Sequence, residues 1–176
     1  LISQTGRNIE TDMAKLEAFC DELMLNQGLQ DTLGTFNDLD DTEKFEKTRE
    51  ISALVSTKSM SLRTMQTVKV IDKNNNTAFD TGFSNASDKT IKDFIENSKK
   101  GDGRIIWKGY TDNGNFAMYM GRAIKSMKTK EYIGCIMVAT KLNIIKDLYK
   151  DIQITEDNEV FIVDEEGNVV SSVADK

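Results

Sequence analysis

The stretch Val68 to Asp80, VKVIDKNNNTAFD, recurs in outline as VFIVDEEGNVV from Val160 to Val170. The two align without a gap, Val68 on Val160, Asp72 on Asp164 and Asn76 on Asn168, an offset of 164 − 72 = 92 residues. In each, an apolar run closes on an aspartate, a polar turn follows and a second apolar run begins. That pattern marks a β-hairpin. The interval holds one small α+β module between equivalent hairpins. The sequence therefore reads as one module followed by the opening of another, a tandem that suits a sensory array better than a compact enzyme.

Working outward, the residues after the first hairpin keep an alternating period and those before it are helical. Strands are expected over 67–72, 77–81, 104–110, 116–126 and 132–141, with a short helix over 88–100 in which Ile91, Phe94 and Ile95 are spaced helically and Asp88 is the cap. A helix over 143–152 leads to the second hairpin. Upstream, Ile2, Ile9, Met13, Leu16, Cys20 and Leu23 form one apolar stripe on a long amphipathic helix. Gly28 and Gly34 loosen the chain. Asp41 and Thr42 then cap a second helix carrying Phe45, Ile51, Leu54, Val55 and Leu62. The last three strands of the first module make an antiparallel meander. In the fourth, Phe116, Met118, Met120 and Ile124 alternate with Ala117, Tyr119 and Ala123, so both faces are apolar and both must be covered. The long helices cover one. The short helix and loops close the other, where a small α+β module can keep a ligand pocket.

Composition narrows the function. The chain has 176 residues, 30% of them charged, a net charge of −6 and no histidine. Histidine triads, imidazole metal sites and histidine pH switches are excluded, and nucleic acid is an unfitting partner for an acidic chain without a basic aromatic patch. Cys20 and Cys135 are far apart and outside any CxxC pair, so they read as buried thiols, with a bridge between them left open. The candidate ligand residues are Trp107, Tyr110, Tyr119 and Arg122. An aromatic platform with a guanidinium suits a sugar face or a carboxylate. The plainer reading makes the aromatics core and Arg122 a strand end, and alternation sends Tyr119 and Arg122 to opposite faces unless a bulge at Gly121 re-aims the strand. Asp80 at the end of the second strand is an anchor for an amine or hydroxyl, or simply a turn residue. Asp72, Asn74 and Asn76 start like an EF-hand loop, but Thr77 stands where glycine is needed and Phe83 where glutamate is, so a hairpin turn is the better reading. The acidic run Glu156, Asp157, Glu159, Asp164, Glu165 and Glu166 reads as solvated linker.

The hairpin VKVIDKNNNTAFD, the long preceding helix and the run MYMGRAIKSMKTKEYIGCIMVATKLNIIKDLY together resemble the extracytoplasmic Cache sensor region of bacterial transmembrane receptors, a double Cache, PAS-like arrangement found in YesM-like sensor histidine kinases. The resemblance implies an α+β fold, with long N-terminal helices packed on a PAS-like antiparallel sheet of about five strands. It divides the chain into a helical region (1–65), a membrane-distal module (66–153), and a linker with the first hairpin of a truncated membrane-proximal module (154–176), with flanking transmembrane helices outside the fragment. It implies a non-catalytic extracellular domain without cofactor that passes a conformational signal to a histidine kinase, as a homodimer in the whole receptor. Its partner would be a small molecule or a solute-loaded binding protein. The amino-acid-binding branch carries an Arg-x-Trp-Tyr segment and a later Tyr-x-Asp, both missing here, so a sugar or organic acid is expected in preference to an amino acid. The alternatives are the sensor of a chemoreceptor or cyclase, a partner-binding module with a filled core, and, last, an enzyme using Asp80 with Asp112.

Overall fold

The structure, a computed structural model, describes residues 2–82, 86–112, 115–140, 160–163, 167 and 169–173. Helix α1 (Ile2–Leu25) is followed by α2 (Gln27–Thr35), a 3-10 turn (Phe36–Asp38) and α3 (Asp41–Ser59). Then come β1 (Met65–Asp72), β2 (Thr77–Asp80), α4 (Asp88–Lys100), β3 (Ile106–Asp112), β4 (Asn115–Lys125) and β5 (Tyr132–Thr140), with a separate hairpin of β6 (Val160–Val163) and β7 (Val169–Val173). The expected helix over 143–152, the acidic run other than its separating residues, the tip of the β3–β4 turn and the side chains of Ile2, Ile9 and Phe116 lie outside the described residues.

Helix α2 corrects the sequence reading, which took Gly28 and Gly34 as loosening the chain. Asn26 ends α1 and restarts the helix, its side-chain oxygen accepting the Leu29 backbone N–H at 2.9 Å. Burial of Leu29 and Leu33 then outweighs the roughly 1 kcal/mol that each helical glycine costs relative to alanine. The cap of α3 is Asp40, one residue before the expected position. It accepts the Glu43 N–H while Glu43 accepts the Asp40 N–H, a reciprocal capping box. Ser87, not Asp88, caps α4 through the Thr90 N–H.

The five-stranded sheet has the order β2-β1-β5-β4-β3, antiparallel at every pairing. β5 lies at its centre and is buried from Ile133 through Thr140. One face packs on the N-terminal helices, where Leu16, Cys20, Leu23, Leu33, Ile51 and Val55 share a core with Val68, Val70, Met120, Ile124, Ile136 and Val138. Phe45, expected in that core, is instead 65% exposed on α3. The other face carries α4, with Phe94 against Tyr119, Met137 and Ala139, and Ile95 against Ile71 and Cys135.

Both hairpins show the same break in register. In the first, Val70 pairs with Phe79 and Ile71 with Thr77; in the second, Ile162 pairs with Ser171 and Val163 with Val169. Shifted by the repeat offset, these are the same positions. Asn75 (φ 68°) and Gly167 (φ 83°) hold the matching left-handed turn position, which asparagine and glycine tolerate best.

Candidate functional site

Strand β4 distributes the sequence candidates between two faces. Its pairing with β5 runs unbroken from Tyr119↔Ala139 through Arg122↔Ile136, so no bulge at Gly121 re-aims the chain. Tyr119 faces α4 and Arg122 faces α1.

On the α1 face, Arg122 is ion-paired with Asp21, and its side chain is only 17% exposed. Its Nε is buried without a hydrogen-bond partner among the described residues. Beside it, Trp107 on β3 donates its indole N–H to Glu17 at 3.0 Å. Trp107 and Arg122 are thus engaged by one helix, away from the other candidates.

On the α4 face, Tyr110 and Tyr119 meet with ring centroids 5.9 Å apart and planes tilted by 59°, an arrangement favoured by the ring quadrupoles. Tyr110 donates its hydroxyl to Asp93 on α4 at 2.7 Å, and Asn97 donates to the same carboxylate oxygen at 3.0 Å. Across the sheet, the row Thr67–Ala139–Tyr119–Lys108 sets the small Ala139 beside the Tyr119 ring. Next to Thr67 on β1, Lys69 pairs with Asp80 on β2 at 2.5 Å, with side chains 13% and 26% exposed. Asp80 also accepts the Gly82 N–H at 2.9 Å. Tyr110 and Tyr119 are therefore brought together, and Asp80 stands on the same face at the far edge. Lys69 is a member of this set that the sequence reading did not single out. Its signal was a lysine set between the apolar Val68 and Val70.

Two further groups were open in the sequence. Cys20 and Cys135 are free thiols on opposite faces of the sheet, Cys20 against the Met120 sulfur at 3.5 Å. Burial pushes the Cys20 thiol up to about 12, with Asp21 adding to the effect, and burial likewise takes Cys135 to about 12. Asp72 has both oxygens filled by N–H donors: Asn74 and Asn76 backbone at 2.8 Å each, and the Asn37 and Asn76 amides at 2.8 and 3.1 Å. That is the chemistry of a turn anchor. No helix among the described residues is long and apolar enough to cross a membrane.

No protein-family model matches the chain, and neither does any curated protein. Solved structures do match. The sensor domain of the V. cholerae histidine kinase DctB superposes with a TM-score of 0.64 at 14% identity, over 97% of this chain and 63% of that one. The ligand-binding domain of the Campylobacter jejuni chemoreceptor Tlp3 in complex with L-valine gives 0.61 at 16% identity, over 97% and 67%. The corresponding domain of the Pseudomonas aeruginosa PAO1 amino acid chemoreceptor PctC in complex with GABA gives 0.58 at 12% identity, over 96% and 70%. The chain thus spans about two thirds of the solved domains it matches, and it has their Cache/PAS-like fold.

These complexes overturn the expectation of a sugar or organic acid in preference to an amino acid, since the ligands they hold are L-valine and GABA. The physical reason lies in the two faces. The platform of Trp107 with Arg122 is not offered to a ligand beside Tyr119, because both side chains are engaged by α1. What the α4 face carries instead is the Lys69–Asp80 ion pair.

Proposed function

We propose that the chain is the extracytoplasmic ligand-sensing region of a bacterial transmembrane receptor, a double Cache tandem whose second module opens with β6–β7. It recognises a small amino acid on the α4 face of the first sheet and catalyses nothing. The observation that carries this reading is the division of the sheet. One face is filled by α1–α3, and the other is covered by the single α4, with aromatic rings and an ion pair of both signs at its flanks. Solved domains of the same fold with amino acids bound support the ligand class. The matching hairpin registers support the tandem.

In this reading Asp80 takes the ligand ammonium and Lys69 its carboxylate, while Tyr119, backed by Tyr110, packs on the side chain. Each half-buried charge is strengthened by the low local dielectric, so exchanging the internal pair for a zwitterion keeps the balance and a singly charged ligand does not. The output is a chemoreceptor signalling domain; the DctB match favours a histidine kinase as the second reading.

Thermal shift of the purified chain against L-valine, isoleucine, norvaline and GABA tests this. A saturable rise in melting temperature is expected for at least one of them, because a ligand that binds only the folded state stabilises it. Asp80→Asn and Tyr119→Ala should each weaken that ligand about tenfold or more, the loss of one charge-assisted contact or one aromatic wall. No shift with any amino acid at millimolar concentration would sink the reading.

A further inference from the structure

The contacts between α1 and the sheet carry a consequence for how α1 is held. Glu17 and Asp21 are one helical turn apart, about 6 Å along the axis at 1.5 Å per residue. Their partners are Trp107, which pairs across the sheet with Met120, and Arg122. Met120 and Arg122 are two residues apart on β4, about 6.6 Å along the strand. The two spacings match, so α1 runs alongside β4 in the same direction with its polar groups in step. Between them Cys20 meets the Met120 sulfur at 3.5 Å. Moving α1 by even one residue along its axis takes both carboxylates off their partners. It also leaves the Arg122 guanidinium, whose Nε is already buried without a hydrogen-bond partner among the described residues, without the carboxylate that compensates its burial.

We propose that Glu17–Trp107 and Asp21–Arg122 are a register lock that fixes the axial position of α1 against β4. Arg122 and Trp107, which the sequence suggests as ligand residues, are positioning residues that act through α1. Strand β4 presents Tyr119 to the α4 face and Met120 and Arg122 to α1 in consecutive alternation, so a displacement of β4 on one face is read as a change of helix register on the other. The lock itself follows from the contacts; its response to ligand rests on the sensor reading above.

The test is pulsed electron-spin distance measurement on the 176-residue chain, labelled at Ala14→Cys on α1 and Glu96→Cys on α4, both exposed positions. The two natural thiols are buried and stay unlabelled. Without ligand, one narrow distance is expected. Asp21→Asn, Glu17→Leu and Trp107→Phe should each broaden or shift it by at least the rise of one helical residue, about 1.5 Å. Glu17→Leu combined with Trp107→Phe should do no more than either alone, because both remove the same bond. With saturating L-valine the wild-type distance should change, and Asp21→Asn should alter the affinity for L-valine by about 5- to 150-fold, the usual range of coupling. Narrow, unshifted distances in all three variants, with native circular dichroism, would overturn the lock. If no amino acid binds the wild type, the sensor reading fails, and the ligand-free distances still decide the lock.

Discussion

Asp72 shows how much one side chain ties together. It is fully buried and accepts four N–H groups, two from its own turn and two from amides, one of them Asn37 next to α2. The first hairpin is thereby fastened to the helical layer. Asp72→Ala leaves these donors facing a cavity, and hydrogen bonds to a charged group contribute about 1.5–3 kcal/mol each. A loss of at least about 3 kcal/mol in urea unfolding is expected, with Asn37→Ala costing less; equal, small effects for the two would contradict the anchor. The two thiols make a second residue-scale prediction. Burial pushes both up from the ordinary thiol value of 9.0 to about 12. Between about pH 9 and 12 the unfolded chain releases protons that the folded chain keeps, so stability is full below that window and falls as pH rises through it. Replacing both cysteines with alanine should flatten this alkaline slope in urea midpoints, and an unchanged slope would show that the thiols are not its source. Neither thiol should react with a disulfide reagent in the native protein at pH 8.

At the scale of elements, α4 decides whether the second face of the sheet is closed. Phe94 is fully buried and sits over Gly121, where a Cβ would come within 3.1 Å of the Phe94 ring and would collide with the Ile136 carbonyl. Phe94→Ala should cost about 3–5 kcal/mol by cavity formation, and Gly121→Ala should also destabilise, through backbone collision. A neutral Gly121→Ala in thermal unfolding would mean that β4 and β5 are farther apart than described. Helix α4 was legible over its full length because Ile91, Phe94 and Ile95 keep a strict helical spacing. The β-strands were legible to within about two residues because their apolar runs, near-continuous in β5 where both faces are buried, are bounded by polar turns. Helix α2 was not, because its glycines mask a signal held by Asn26 and two leucines. The site was half legible. Alternation separates Tyr119 from Arg122, but nothing in the local pattern shows that Glu17 and Asp21, far upstream, claim Trp107 and Arg122. Tertiary partners at such separation leave no periodic trace.

For the whole molecule, the sheet is a partition. Its helix face is a filled core with α1 in register, and its α4 face carries Tyr110, Tyr119, Lys69 and Asp80. The second hairpin repeats the register of the first, since Val163 and Val169 pair as Ile71 and Thr77 do. The direct measurement is a methyl NMR titration of the purified chain with L-valine, isoleucine, norvaline and GABA. The account predicts saturable shifts that are largest at Ala117, Ala139 and Met137 on the α4 face, with smaller ones following at Met120 and Leu23. Absence of any saturable shift, or shifts confined to Leu16, Leu23 and Met120, would contradict it.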